Sequence, residues 1–154
     1  SLMTTQRGLN SGSSDILPLG RVSVRGKGKS RGELVGLPLA VIEGYGSVIS
    51  TGSQMFIEAP FDGTLVSVRA FADQTGSIVV DVWKDAFANF PPTNADTITA
   101  GNEISISSGR TYENVILAGS GWTVEFSRGD IFYFNVDSVA TIKKLDILMA
   151  ARRR

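Results

Sequence analysis

The sequence predicts an all-β fold, an antiparallel β-sandwich of jelly-roll-like design, preceded by an extended N-terminal arm. From Ala40 onward, apolar and β-branched runs of four to nine residues alternate with clusters of Gly, Pro, Asn, Asp and Ser, the punctuation of strands and turns. Helical periodicity is sustained nowhere. Arg7 to Leu39, by contrast, is Gly-rich, basic and interrupted by Pro18 and Pro38, with too little apolar surface to offset the entropy of ordering. The expected boundaries are an arm over 1–39, a sandwich domain over 40–149 and a basic tail over 150–154.

The arm comes first in the chain and carries its charge asymmetry. Residues 1–34 hold six basic groups against two acidic ones, residues 35–149 hold six against thirteen, and Arg152, Arg153 and Arg154 close the chain. An acidic body with two basic ends is drawn to the acidic face of a neighbouring copy or to another anionic partner. Arg21, Arg25, Lys27, Lys29 and Arg31 are the partner-docking candidates, and Arg21 to Val24 has the alternation of a strand that adds to another sheet. Nucleic acid fits poorly, because the arm lacks interleaved aromatics and the acidic body repels phosphates. Gly28-Lys29-Ser30 matches the end of a phosphate-binding loop, but position 23 is Ser where that motif needs Gly, and Gly32, Gly36 and Pro38 prevent the helix that must follow.

The strands expected next are Leu39 to Ile42, Gln54 to Ala59, Gly63 to Phe71, Ser77 to Lys84, Glu103 to Ser107, Asn114 to Leu117, Thr123 to Phe126, Asp130 to Val136 and Thr141 to Leu148. Turn signals divide them at Pro60 to Gly63, Asp73 to Gly76, Gly119 to Gly121 and Ser127 to Asp130. Alternation in Gly63 to Phe71 separates Leu65, Arg69 and Phe71 from Val66, Val68 and Ala70, so neither face is fully polar. Ile78, Val80 and Val82 share a face opposite Val79, Asp81 and Trp83, and Phe132, Phe134 and Val136 form a strongly apolar face assigned to the interior. Asp85 to Thr93 is long for a hairpin connection and holds Phe87, Phe90, Pro91 and Pro92, which predicts a structured loop.

With no His and no Cys, the chain excludes imidazole bases, thiolate nucleophiles, disulfides and nearly every zinc or copper site. No apolar run approaches the roughly 20 residues of a spanning helix, the nearest being Leu37 to Ile42 with Pro38 inside it, and no signal sequence opens the chain. A soluble protein without membrane partners is expected. Ser1 and Leu2, which precede the first Met, are set aside from the fold argument.

Three constellations carry candidate chemistry. Asp73, Asp81, Asp85 and Asp96 form the densest carboxylate group, but their spacing fits no calcium loop. Asp73 and Asp96 are expected to cap turns and Asp81 and Asp85 to solvate a strand end, and neither a metal nor another cofactor is assigned. A glycosidase needs two carboxylates flanking a cleft, and Glu58 with Asp62 or Asp81 with Asp85 are pairs that any acidic β-domain offers, so the expectation is a non-enzymatic protein. Trp83, Trp122, Tyr45, Tyr112, Phe87 and Phe90 are the aromatics expected near loops. Trp83, Trp122, Phe87 and Phe90 are the glycan-binding candidates, since flat rings stack on sugars at low entropy cost, and packing in the core or at a subunit interface is the competing assignment.

Residues 46–148 resemble a recurrent β-domain of bacteriophage structural proteins and fibre tips. The matching stretches are Gly46 to Gly52, Pro60 to Thr64, Ala72 to Asp85, Asn89 to Thr93 with Asp96, Gly121 to Thr123, and Gly129 to Ser138. The resemblance implies a phage particle component, assembled in the host cytoplasm and located in the virion. In that family the domain often looks like the end of a longer fibre, whereas here it follows a short basic arm. A capsid decoration, head-fibre or tail accessory protein is therefore expected, forming a homotrimer and docked by its arm on capsid or tail proteins. The alternative is a receptor-binding fibre tip that recognises host surface glycan for attachment.

Overall fold

The computed structural model describes residues 32–154. The docking candidates Arg21, Arg25, Lys27, Lys29 and Arg31 lie outside the described residues. The described chain is an antiparallel β-sandwich made by one eight-stranded sheet curled on itself. Its strands are β1 Leu34–Gly36, β2 Ala40–Glu43, β3 Gly52–Glu58, β4 Gly63–Asp85, β5 Ile104–Asn114, β6 Glu125–Phe126, β7 Ile131–Ala140 and β8 Lys144–Arg153.

The organiser is β4, which continues through Asp73 to Gly76, where the sequence predicted a turn. Both edges of β4 are occupied. Along one edge β8 pairs with Gly63 to Ala72 and β7 with Ser77 to Asp85. Along the other, β5 pairs with Val68 to Phe71 and Gly76 to Val80, and β6 with Gly63 and Thr64. The strand survives its polar centre because side chains satisfy the backbone there. Arg110 Nη2 donates to the carbonyls of Ala72 (3.2 Å) and Asp73 (2.9 Å), and Gln74 Nε2 donates to the Thr141 carbonyl at 2.9 Å. The amides of Lys143 and Lys144 donate to Asp73 Oδ1 at 3.0 and 3.1 Å. Desolvation works to raise the Asp73 pKa, and these two amides, with its own backbone N–H and the Lys143 charge, together outweigh it and leave the group below its ordinary value.

Either side of this centre, the two halves of the sheet supply one core. Leu65, Val68, Ala70, Leu145, Ile147, Met149, Ala40 and Ile42 come from the first half. Ile78, Val80, Val82, Ile104, Ile106, Phe132, Phe134 and Val136 come from the second. Phe132, Phe134 and Val136 are interior, as the alternation predicted. In Gly63 to Phe71 simple alternation fails. The pairing with β8 slips between Leu65 and Ser67, and this bulge turns Leu65 to the same side as Val68 and Ala70 while Phe71 is 44% exposed.

Both termini of the described block differ from the expected boundaries. Leu34–Gly36 already forms a strand on β8, and Leu37 is buried with its amide on the Met149 carbonyl at 2.8 Å. Residues 150–153, expected as a tail, are the end of β8. Ala151 is fully buried between Val35 and Leu65 in the ladder. Arg153 lies 5.1 Å from the Phe61 ring centre, and Arg154 pairs with Glu125 at 2.9 Å. Of the arginines that follow, Arg153 and Arg154 have local partners while Arg152 and Arg154 remain exposed. No helix among the described residues is long and apolar enough to cross a membrane.

Candidate ligand-binding face

The outer face of the second half-sheet carries a row of aromatics built by strand register. Trp83 on β4 is opposite Tyr133 on β7, and Tyr133 is opposite Phe56 on β3. The rings meet edge to face, Trp83 to Tyr133 at 6.2 Å and Tyr133 to Phe56 at 5.6 Å between centres. Phe90 comes in from the loop after β4, 5.1 Å from Phe56 and 6.3 Å from Tyr133. Beside this row opens a cleft of about 480 Å³ lined by Phe56, Ile57, Glu58, Phe87, Phe90 and Ile131. Phe56, Phe87 and Phe90 are 51%, 69% and 45% exposed, so three aromatic surfaces face water.

The loop that delivers Phe87 and Phe90 is structured, as the sequence predicted, and local caps hold it, with Asp85 capping it and not solvating a strand end. A 3₁₀ turn at Phe87–Asn89 is held by Asp85, which accepts from the Asn89 amide group at 3.1 Å and from the Ala86 N–H at 2.7 Å. Those two bonds, Asn89 first, set the Asp85 pKa below its ordinary value. The Phe90–Pro91 peptide is cis. A second turn, Asn94–Asp96, is closed by a capping box in which Asp96 accepts from the Thr93 N–H at 2.7 Å and Thr93 Oγ1 accepts from the Ala95 N–H at 3.3 Å.

Next to the aromatic row lies a carboxylate cluster that the sequence grouped differently. Asp73, Asp81, Asp85 and Asp96 do not converge: Asp73 serves the β7–β8 turn and Asp85 and Asp96 cap the loop. Asp81 is buried rather than solvating a strand end. Its Oδ1 accepts from the Val82 N–H and the Thr97 and Thr99 hydroxyls at 2.7–2.8 Å, and its Oδ2 from Trp83 Nε1 at 3.0 Å. Glu103 and Asp137 stand beside it, the three offering ligand atoms within 4.8 Å of one another. Burial, then a hydrogen bond with Asp137, raises the Glu103 pKa above its ordinary value. Neither Glu103 nor Asp137 lies in a local motif, and only the register of β5 and β7 on β4 brings them to Asp81.

Of the four glycan-binding candidates, Phe87 and Phe90 line the cleft. Trp83 is half-buried, holding Tyr133 and Asp81. Trp122 is corrected outright: it is 6% exposed, inside the core, with Nε1 donating to the Asn102 carbonyl at 2.8 Å. The loop before β6 turns the ring inward onto the core cluster. Phe56 and Tyr133 were missed as face residues, although alternation along Gln54 to Ala59 separates Phe56 from the buried Ile57 and Ala59. No protein-family model, no curated protein and no solved structure matches this chain.

Proposed function

We propose that the chain is a non-enzymatic bacteriophage virion protein, a capsid decoration, head-fibre or tail accessory component docked on the particle by its basic N-terminal arm. The observation that supports this most is the coherence of the stretches that resemble phage β-domains. Ala72 to Asp85 and Gly129 to Ser138 are neighbours in one ladder, and Asn89 to Thr93 carries Phe90 onto Tyr133 of that same ladder. These three of the matching stretches are thus adjacent in the fold. The test is mass spectrometry of virions purified from the phage that encodes the chain, with the full-length protein and with a version lacking residues 1–31. Full-length protein in the particle and loss of the shortened one are expected; particles free of the protein would defeat the proposal.

The exposed aromatic cleft favours a second reading, recognition of a host surface glycan. Aromatic faces stack on the apolar faces of sugar rings, while Glu58 at the rim accepts hydroxyl hydrogen bonds. Glycan-array binding that disappears in Phe90→Ala and Phe87→Ala, with unchanged circular dichroism, is the expected result under this reading. An array without signal removes it.

A further inference from the structure

Among the described residues, β5 pairs along one side with β4 and no described strand joins its other side. Eleven residues of open edge form a ready template for another chain. Ile104 and Ile106 point into the core and Ser105 and Ser107 are exposed, so by alternation Glu103 falls on the outer, Ser105 side. There it meets Asp81 and Asp137. The ion pairs among the described residues lie elsewhere, at Arg69–Glu113, Lys84–Asp130, Lys144–Asp146 and Arg154–Glu125. Three carboxylates at the head of an open strand edge therefore make a cation-seeking corner.

The sequence supplies a segment complementary to this edge in three respects. Arg21-Val22-Ser23-Val24-Arg25 alternates basic or polar side chains with β-branched ones, as a strand with one buried face requires. It is cationic where the edge is anionic. The eight residues 26–33 that separate it from β1 span up to ~26 Å when extended, which gives the segment reach beyond β1.

We propose that Arg21 to Arg25 of a second copy adds to the open edge of β5 as an antiparallel strand. In that register Val24 lies beside Ile104, Val22 beside Ile106 and Ser23 beside Ser105. The Arg25 guanidinium then faces Glu103, Asp81 and Asp137. The inference rests on the reading of the first residues as an assembly element but not on a phage particle. Backbone pairing supplies the affinity, and the valines and the arginine fix the register. A guanidinium at this corner also offsets the burial and mutual repulsion that hold Glu103 above its ordinary pKa. Each copy gives one segment and receives one, an exchange that closes in a reciprocal dimer or in a ring such as a trimer.

The absence of native cysteine permits a clean test on the purified full-length protein. Facing residues of an antiparallel pair have Cα atoms about 4.5–5.5 Å apart, within disulfide range. A Ser23→Cys chain mixed with a Ser105→Cys chain is expected to give a mixed disulfide on mild oxidation, and Ser50→Cys in place of Ser105→Cys is not. Sedimentation velocity provides the second measurement: Arg25→Glu is expected to weaken self-association about tenfold, and pairing it with Glu103→Arg to restore it. Absence of the mixed disulfide overturns the proposal. So does a bond that forms within one chain of the double Ser23→Cys, Ser105→Cys variant at high dilution, because the segment would then be using its own edge. Since no particle is involved, either failure leaves the virion assignment to be judged by the particle experiment alone.

Discussion

Asp81 shows how much one buried carboxylate organises. It gathers four donors from Val82, Trp83, Thr97 and Thr99, and so ties the long segment between β4 and β5 to the sheet face. Asp81→Ala leaves the fully buried Thr99 hydroxyl without its acceptor and is expected to cost about 3 kcal/mol in urea unfolding. Glu103 acts in the opposite sense. Its folded pKa lies above the ordinary value of 4.5, so the folded chain binds that proton more tightly than the unfolded chain does. The resulting stabilisation is full at pH below 4.5 and is lost as pH rises through the raised value. Glu103→Gln is therefore expected to raise the melting midpoint at pH 7, with the advantage over wild type shrinking as the buffer is brought to pH 4. An advantage that grows on acidification contradicts the assignment. The Asp96 cap was legible in the sequence, because it acts within three positions of itself, whereas Asp85, expected to solvate a strand end, caps the aromatic loop instead. The Asp81 corner was not legible, since its members lie on three strands far apart in sequence.

At the scale of elements, β4 decides the architecture, and its weak point is the centre where both flanking ladders are interrupted. Gly76 sits there because a Cβ would come 2.5 Å from the Ala140 carbonyl and 2.8 Å from Ile142 Cγ1. Its ladder partner Gly109 has only ordinary contacts, at 3.6 Å or more. Gly76→Ala is expected to destabilise the fold by about 2 kcal/mol, whereas Gly109→Ala changes it by less than about 1 kcal/mol. Equal effects on denaturation midpoints would mean that the close approach at Gly76 does not matter. The sequence marked this place correctly as a break in hydrophobic pattern but assigned it to a turn. Asp-Gln-Thr-Gly has turn chemistry, and what overrides it is the pairing that flanks it on both edges together with Arg110 and the Thr141 carbonyl that Gln74 reaches, partners that a local window does not contain.

For the whole molecule, the extent of the folded body is the quantity most open to measurement. Leu34–Arg154 forms a compact unit, so removal of residues 1–31 is expected to leave the unfolding midpoint within a few degrees of the full chain. Removal through residue 38 takes away β1 and the buried Leu37, and the expected loss is about 3 kcal/mol. Thermal melts of both truncations check the boundary; equal stability would place it at 39 after all. Composition and alternation alone determined the antiparallel β class, the inward faces of β7 and of the second half of β4, and the existence of a shaped aromatic loop. Those features depend on each side chain's own burial preference and on the period of two along a strand. Tertiary structure alone decided that two expected strands are one, that the C-terminal arginines belong to the sheet, that Trp122 is core and that three carboxylates meet. Each of those depends on which distant strand lies alongside, and pairing between strands far apart in the chain leaves no trace in local pattern.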